Sequence, residues 1–152
     1  VPLLLLAVIV ALAVFSVVRG RLAATRMAQA SEVLHADLLG SDIRRMGGAT
    51  CIGHDARALG PMRGMGALAL TGTQLRFVHG KTGRAVSLPL DQIVEATAAR
   101  SFSAGSSPLR VPRRRPVLVV HWVTGSGALH RIAWDVPEAV TWSSTLAQLI
   151  GR

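Results

Sequence analysis

Tyrosine is absent from this 152-residue chain, cysteine and lysine occur once each, and only eight residues are acidic. Each shortage closes off a class of function. The one cysteine, Cys51, rules out an intrachain disulfide, so an oxidising compartment is neither required nor excluded. Cys51 and His54 form a C-x-x-H fragment beside Asp55. Structural zinc takes four ligands and no second pair stands nearby, so no metal is expected and Cys51 reads as a small buried hydrophobe. Aromatic residues make up 4% of the chain. That is too few for a base-stacking platform, and no reading helix accompanies them, which disfavours nucleic acid as a partner. The acidic residues form no close pair within an apolar run, and no Ser/His/Asp or Cys/His spacing marks a nucleophile. No catalytic residue and no cofactor is therefore nominated. Gly80-Lys81-Thr82 looks like the end of a phosphate-binding loop, but the position of its first glycine is Leu75 and no helix is expected to follow. Without amides at a helix N-terminus the fragment lacks its mechanism and reads as an exposed turn.

Charge is also missing from one particular place. Residues 1–18, VPLLLLAVIVALAVFSVV, carry none and include a single hydroxyl, Ser16. As a helix this run would be about 27 Å long, close to the ~30 Å hydrocarbon core of a bilayer. A cleaved signal peptide would place positive charge before the run. Here it follows, at Arg19, Arg21 and Arg26. A buried core helix would keep a polar face. The reading is a single transmembrane helix over 1–18, with the following domain cytoplasmic because the arginines lie on that side. The whole chain has 17 Lys+Arg against 8 Asp+Glu, a formal charge of +9. Such a balance favours anionic partners.

Residues 19–46 are expected to form a juxtamembrane helix or linker. Leu22, Arg26, Ala30, Val33, Leu34 and Leu38 recur at helical spacing, and Gly40, Gly47 and Gly48 punctuate its end. A domain over 47–152 follows, opening with one short strand near 49–53 and then loop as far as Gly66. Leu68, Leu70, Leu75 and Phe77 alternate about Gly72-Thr73. A two-residue turn there sets Leu70 opposite Leu75 and Leu68 opposite Phe77, with Gly72 supplying the positive φ of a type II′ turn. Val86, Leu88 and Leu90 alternate next, giving an antiparallel sheet with one buried face. Residues 91–100 either continue as a strand or open with a helical turn. A second hairpin over 116–124 and 127–134 would turn at Gly125-Ser126, placing His121 directly opposite His130 on a face with Val119, Val123 and Ile132. The sharp reading of that pair is a metal or proton-sensing site; the plainer one is two neutral histidines at a sheet edge. A closing helix is expected after Asp135 as cap, with Glu138 completing a capping box, Pro137 in the first turn and Gly151 at the C′ position. Its apolar stripe is Ala139, Trp142, Leu146, Leu149 and Ile150.

Between the sheet segments, residues 101–116 read SFSAGSSPLRVPRRRP, the clearest loop in the chain. Arg110, Arg113, Arg114 and Arg115 fall within six positions, interrupted by Pro112 and closed by Pro116. The prolines disfavour helix and regular pairing, so these four side chains are the expected contact surface for an anionic partner.

Gly66-x-Leu68-x-Leu70-Thr71 with Leu75-x-Phe77, then Leu88-Pro89-Leu90 with Ile93, then Leu118-x-Val120-x-Trp122, Trp134-Asp135 and Trp142 together resemble the bacterial branch of the pleckstrin-homology-like (PH-like) and GRAM-like domains. The resemblance spans roughly 47–151 and rests on packing motifs. It implies a mainly β, α+β fold: a curved antiparallel barrel or sandwich of about seven strands, capped by the C-terminal helix and here preceded by a transmembrane helix. Such domains bind lipid headgroups or proteins and are generally not catalytic. Phosphoinositide-binding members carry a basic motif in the loop between their first two strands, and the Gly72-Thr73 turn carries none. The expectation is a membrane-anchored, non-enzymatic adaptor, single-pass in the cell membrane, contacting a protein partner or anionic lipid headgroups. The alternatives are a small enzyme with a site assembled from distant residues, or a basic nucleic-acid-binding domain.

Overall fold

The helix does not stop at the arginines. In the computed structural model, which describes residues 2–103 and 114–151, one helix, α1, extends unbroken over Pro2–Asp37. It is long and apolar enough to cross a membrane, and residues 4–18 are exposed throughout. Its last turns behave differently. Ala30 and Leu34, and Leu38 just beyond the helix, are buried, at the four-residue step that puts side chains on one helical face.

Seven strands follow: β1 Ile43–His54, β2 Gly64–Thr71, β3 Gln74–His79, β4 Ala85–Pro89, β5 Ile93–Ala99, β6 Val117–Val123 and β7 Leu129–Asp135, then helix α2, Ala139–Ile150. They form one antiparallel sheet in the order β4-β3-β2-β1-β7-β6-β5. Strand β1 is longer than the short strand expected, because its first nine residues, Ile43 to Cys51, run along β2. Residues 90–99 do both things the sequence allowed, with a 3₁₀ turn at Leu90–Gln92 running into β5.

The inner face holds the main core. Leu68, Leu70, Leu75, Phe77, Val86, Leu88, Leu118, Val120, Trp122, Ile132 and Trp134 point into it, and Trp142 and Leu146 of α2 close it. Phe77 and Trp134 meet at a 6.0 Å centroid separation, a tilted contact of the kind aromatic pairs favour. The expectation of one buried face fails for β2, where every residue from Gly66 to Thr71 is buried. Its outward residues are Ala67 and Ala69, and they pack with Val78 against Ala30, Leu34 and Leu38. Small side chains let a helix lie close on a sheet, and α1 uses the space: a Cβ on Gly80 would stand 2.7 Å from the Arg26 carbonyl oxygen.

Three local expectations are corrected. The first hairpin has the expected register, Leu70 with Leu75 and Leu68 with Phe77. Gly72, however, does not take a positive φ. The Thr71 hydroxyl oxygen organises the turn instead, accepting the Thr73 and Gln74 N–H groups at 3.2 and 3.1 Å. The helix cap also differs. Asp135 stays in β7 opposite Thr50, so α2 begins later, after Glu138 in the left-handed region at φ 56°. The Glu138 carboxylate reaches Arg45 rather than its own helix start. Gly151 donates its N–H to the Ala147 carbonyl at φ −80°, without the left-handed turn of a C′ glycine.

Candidate functional site

The second hairpin carries the largest correction. Its loop has three residues, Gly125, Ser126 and Gly127, with Gly127 at φ 81° and the Thr124 N–H donated to the Ala128 carbonyl. Three-residue hairpins place a glycine in that left-handed position. The extra residue shifts the register by one, so His121 faces Arg131 and His130 faces Trp122. The two imidazoles lie on opposite faces, which ends the two-histidine site. His130 turns toward the core and meets the Trp122 ring at 5.5 Å.

The corrected register assembles something else on the outer face. Glu95 of β5 pairs with His121 of β6, and His121 pairs with Arg131 of β7. Beyond Arg131, just past the end of β1, comes Asp55. Four ionisable side chains therefore stand in a row across the sheet: Glu95, His121, Arg131, Asp55. His121 Nδ1 lies 2.9 Å from Glu95 Oε2. Arg131 donates its backbone N–H to Asp55 Oδ1 at 2.7 Å and its Nε–H to Asp55 Oδ2 at 3.2 Å. Burial acts to raise the Asp55 carboxyl, yet the Arg131 backbone N–H, the Arg131 guanidinium and His130 outweigh it and hold the group below the ordinary carboxylate value. The Arg131 guanidinium also lies over the Phe102 ring, 6.0 Å from its centroid. Residues 101–103 stand up beside the row and wall a cavity of about 300 Å³.

Of the arginines proposed from the sequence, Arg110 and Arg113 lie outside the described residues. Arg114 and Arg115 are exposed, and Arg115 is engaged by Asp135 at 2.9 Å. Cys51 is buried, and desolvation pushes its thiol up to about 11. Among the described residues no group of three or more His, Cys, Asp or Glu side chains is placed to hold a metal ion.

A second basic surface was not singled out from the sequence, since it depends on where α1 lies. Asp37 at the end of α1 bonds Arg76 at 2.6 Å, while Arg26 lies against Gly80. Strand β3 therefore runs antiparallel to α1, and the turn after it points back along the helix toward the apolar run. The loop between β1 and β2 joins that end: His79 Nε2 lies 3.1 Å from the Arg63 carbonyl oxygen, and the Arg84 guanidinium sits against Gly60. Arg57, Arg63, Lys81 and Arg84 are all exposed there. The sequence has no acidic residue between Asp55 and Asp91.

No protein-family model and no curated protein matches this sequence. Solved structures do match its shape. The C-terminal domain of an unknown protein from Leishmania infantum superimposes with a TM-score of 0.50 at 14% identity, over 78% of this chain and 92% of that one. The N-terminal PH domain of Vps36 superimposes with a TM-score of 0.51 at 14% identity, over 74% of this chain and 81% of that one. At that identity the likeness shows the fold alone. It is a PH-like fold: a seven-stranded antiparallel sheet with a C-terminal helix, here behind a long apolar N-terminal helix.

Proposed function

We propose that this protein is a membrane-anchored, non-enzymatic binding module, held by α1 in a single pass with its PH-like domain on the cytoplasmic side. The basic ends of two loops then rest on the acidic leaflet. One observation carries the reading: α1 is unbroken from its uncharged run to its seat on the sheet. From Arg19 to the level of Arg26 and Gly80 is seven helical steps, about 10 Å of rise. Arg57, Arg63, Lys81 and Arg84 are thereby held close to the membrane, beside Arg19, Arg21 and Arg26. Each basic residue near an acidic surface contributes on the order of 1 kcal/mol, fading within a Debye length of ~8 Å. The arginines following the apolar run support the cytoplasmic orientation.

The arginine loop, Arg110 with Arg113–Arg115, is proposed as a second basic surface, left to a protein partner. Hydrogen exchange on the full chain in nanodiscs tests the division. Residues 80–84 and 57–63 gain protection in discs containing anionic lipid over zwitterionic ones, and lose it in high salt. Equal exchange in both discs would leave the helix as an anchor alone and remove the leaflet from the account.

A further inference from the structure

The row on the outer face of β5–β7 has no part in the membrane contact just proposed, and its chemistry is unspent. His121 and Arg131 are cross-strand neighbours. The carboxylates lie at the outer ends. Glu95 takes the Nδ1 side of His121, and Asp55 takes the Nε and backbone sides of Arg131. That leaves His121 Nε2 and both Arg131 Nη atoms without a partner among the described residues. Part of the row is walled: Phe102 stacks on Arg131, and Ser101, Ser103 and Thr97 complete the wall of the ~300 Å³ cavity, with Val119 in its lining, while Glu95 and Arg131 stay exposed.

We infer that this cavity is a binding site for a phosphoryl group. The Arg131 Nη groups donate into it, and His121 Nε2, with its Nδ1–H given to Glu95, accepts from the O–H of a singly protonated phosphoryl group; each side chain is oriented by its own carboxylate. Three hydroxyls add donors from the remaining sides. A planar carboxylate offers two oxygens and leaves part of this set unused, whereas a phosphate monoester presents three. The remaining volume accommodates the group that carries the phosphate, against the apolar surface of Phe102 and Ala99. The ligand is a phosphate monoester, either a free metabolite or a lipid headgroup such as phosphatidic acid.

The test uses the full chain in zwitterionic detergent, where no acidic leaflet is present, so it stands or falls separately from the loop contact. Inorganic phosphate is titrated while the Arg131 Nε–H and His121 ring resonances are followed, with acetate as the control anion. Saturating shifts of both with phosphate alone are expected. R131Q weakens the response about tenfold, as loss of a charge-assisted donor should, and H121Q several-fold. Should R131Q disturb the fold, H121Q and T97V carry the comparison, since neither holds Asp55. An absent or non-saturating response, an equal response to acetate, or saturation unchanged in H121Q and T97V overturns the inference. Glycerol phosphate in detergent, set against nanodiscs containing phosphatidic acid, then assigns the source: tighter binding of the free ester supports a metabolite site, and tighter binding in the discs a headgroup site.

Discussion

Over β1–β3 the outward positions include Met46, Gly48, Ala67, Ala69 and Val78, and α1 lies on them, with the outward Arg76 paired to Asp37 at the helix end. Over β5–β7 the outward positions include Glu95, Thr97, His121 and Arg131, and only Phe102 with its neighbours folds across part of the surface. The inner faces of the two halves are alike, each an alternation of Leu, Val and aromatic residues. What separates the halves is the residue at every second position, which the alternation itself does not choose. Small apolar residues make a seat for a helix backbone. Ionisable residues in cross-strand pairs keep a face wet and available. One half of the sheet is thus covered by α1, and the other is left largely open.

Emptying the seat should have the largest effect. Leu34 is fully buried between α1 and the sheet, and Leu34→Ala should cost about 2–5 kcal/mol, the usual range for a leucine truncated in a packed core. Denaturant unfolding of the full chain in detergent measures it. A change below ~1 kcal/mol would mean that α1 does not depend on this seat, and would unsettle the loop orientation drawn from it. A finer probe is Gly80→Ala. The added methyl would meet the Arg26 carbonyl, with the Arg26 carbonyl carbon and Cβ only 3.0 and 3.1 Å away. Because that neighbour is helix backbone, the expected cost is about 1–3 kcal/mol, with faster hydrogen exchange confined to the turn after β3.

How much of this was legible in advance follows the same division. The four-residue series Ala30, Leu34, Leu38 and the alternation Leu68, Leu70, Leu75, Phe77 were visible because burial imposes a period on the sequence. The small residues Ala67 and Ala69 alternate with Leu68 and Leu70, and alanine itself does not announce what will cover it. The row was missed for a different reason. Its members come from three strands and the residue just past a fourth, and the one pairing that sequence offered, His121 with His130, rested on a two-residue loop. Gly125 and Gly127 both suit a turn, and only the backbone decides that Gly127 takes the positive φ. A shift of one residue exchanges His130 for Arg131 and sets a guanidinium, not a second imidazole, beside His121.

On the open face, Asp55→Asn separates charge from geometry. The asparagine side-chain oxygen still accepts the Arg131 N–H, so the variant removes mainly the charge. A carboxyl held below its ordinary value contributes stability that is fully present above the unfolded pKa of about 4 and is lost as pH falls through the folded value. The wild-type advantage over the variant should therefore be constant from neutral pH down to about 5 and shrink below that. Paired unfolding curves at descending pH show it. A difference that stays level throughout would mean Asp55 is not ion-paired in solution, and the right-hand end of the row would lose its orienting carboxylate.

The smallest effect belongs to Arg115, at the border of the open face. Its side chain is 64% exposed and meets Asp135, whose side chain is 19% exposed, at 2.9 Å. An ion pair with one partner so exposed is screened and entropically costly, and contributes roughly 0–1 kcal/mol. Arg115→Ser should accordingly leave unfolding almost unchanged while removing one charge from the arginine loop. Replacing Arg113, Arg114 and Arg115 together with Ser removes three charges from that segment, and an unfolding curve of the triple variant supplies the folding correction for the binding comparison. If the loop serves a protein partner and the helix-proximal loops serve the leaflet, the triple variant abolishes salt-sensitive crosslinks to that partner in native membrane. It leaves the lipid-dependent protection of residues 80–84 intact. Loss of that protection in the triple variant would show that the arginine loop also reaches the membrane, and the division of labour between the two basic surfaces would have to be withdrawn.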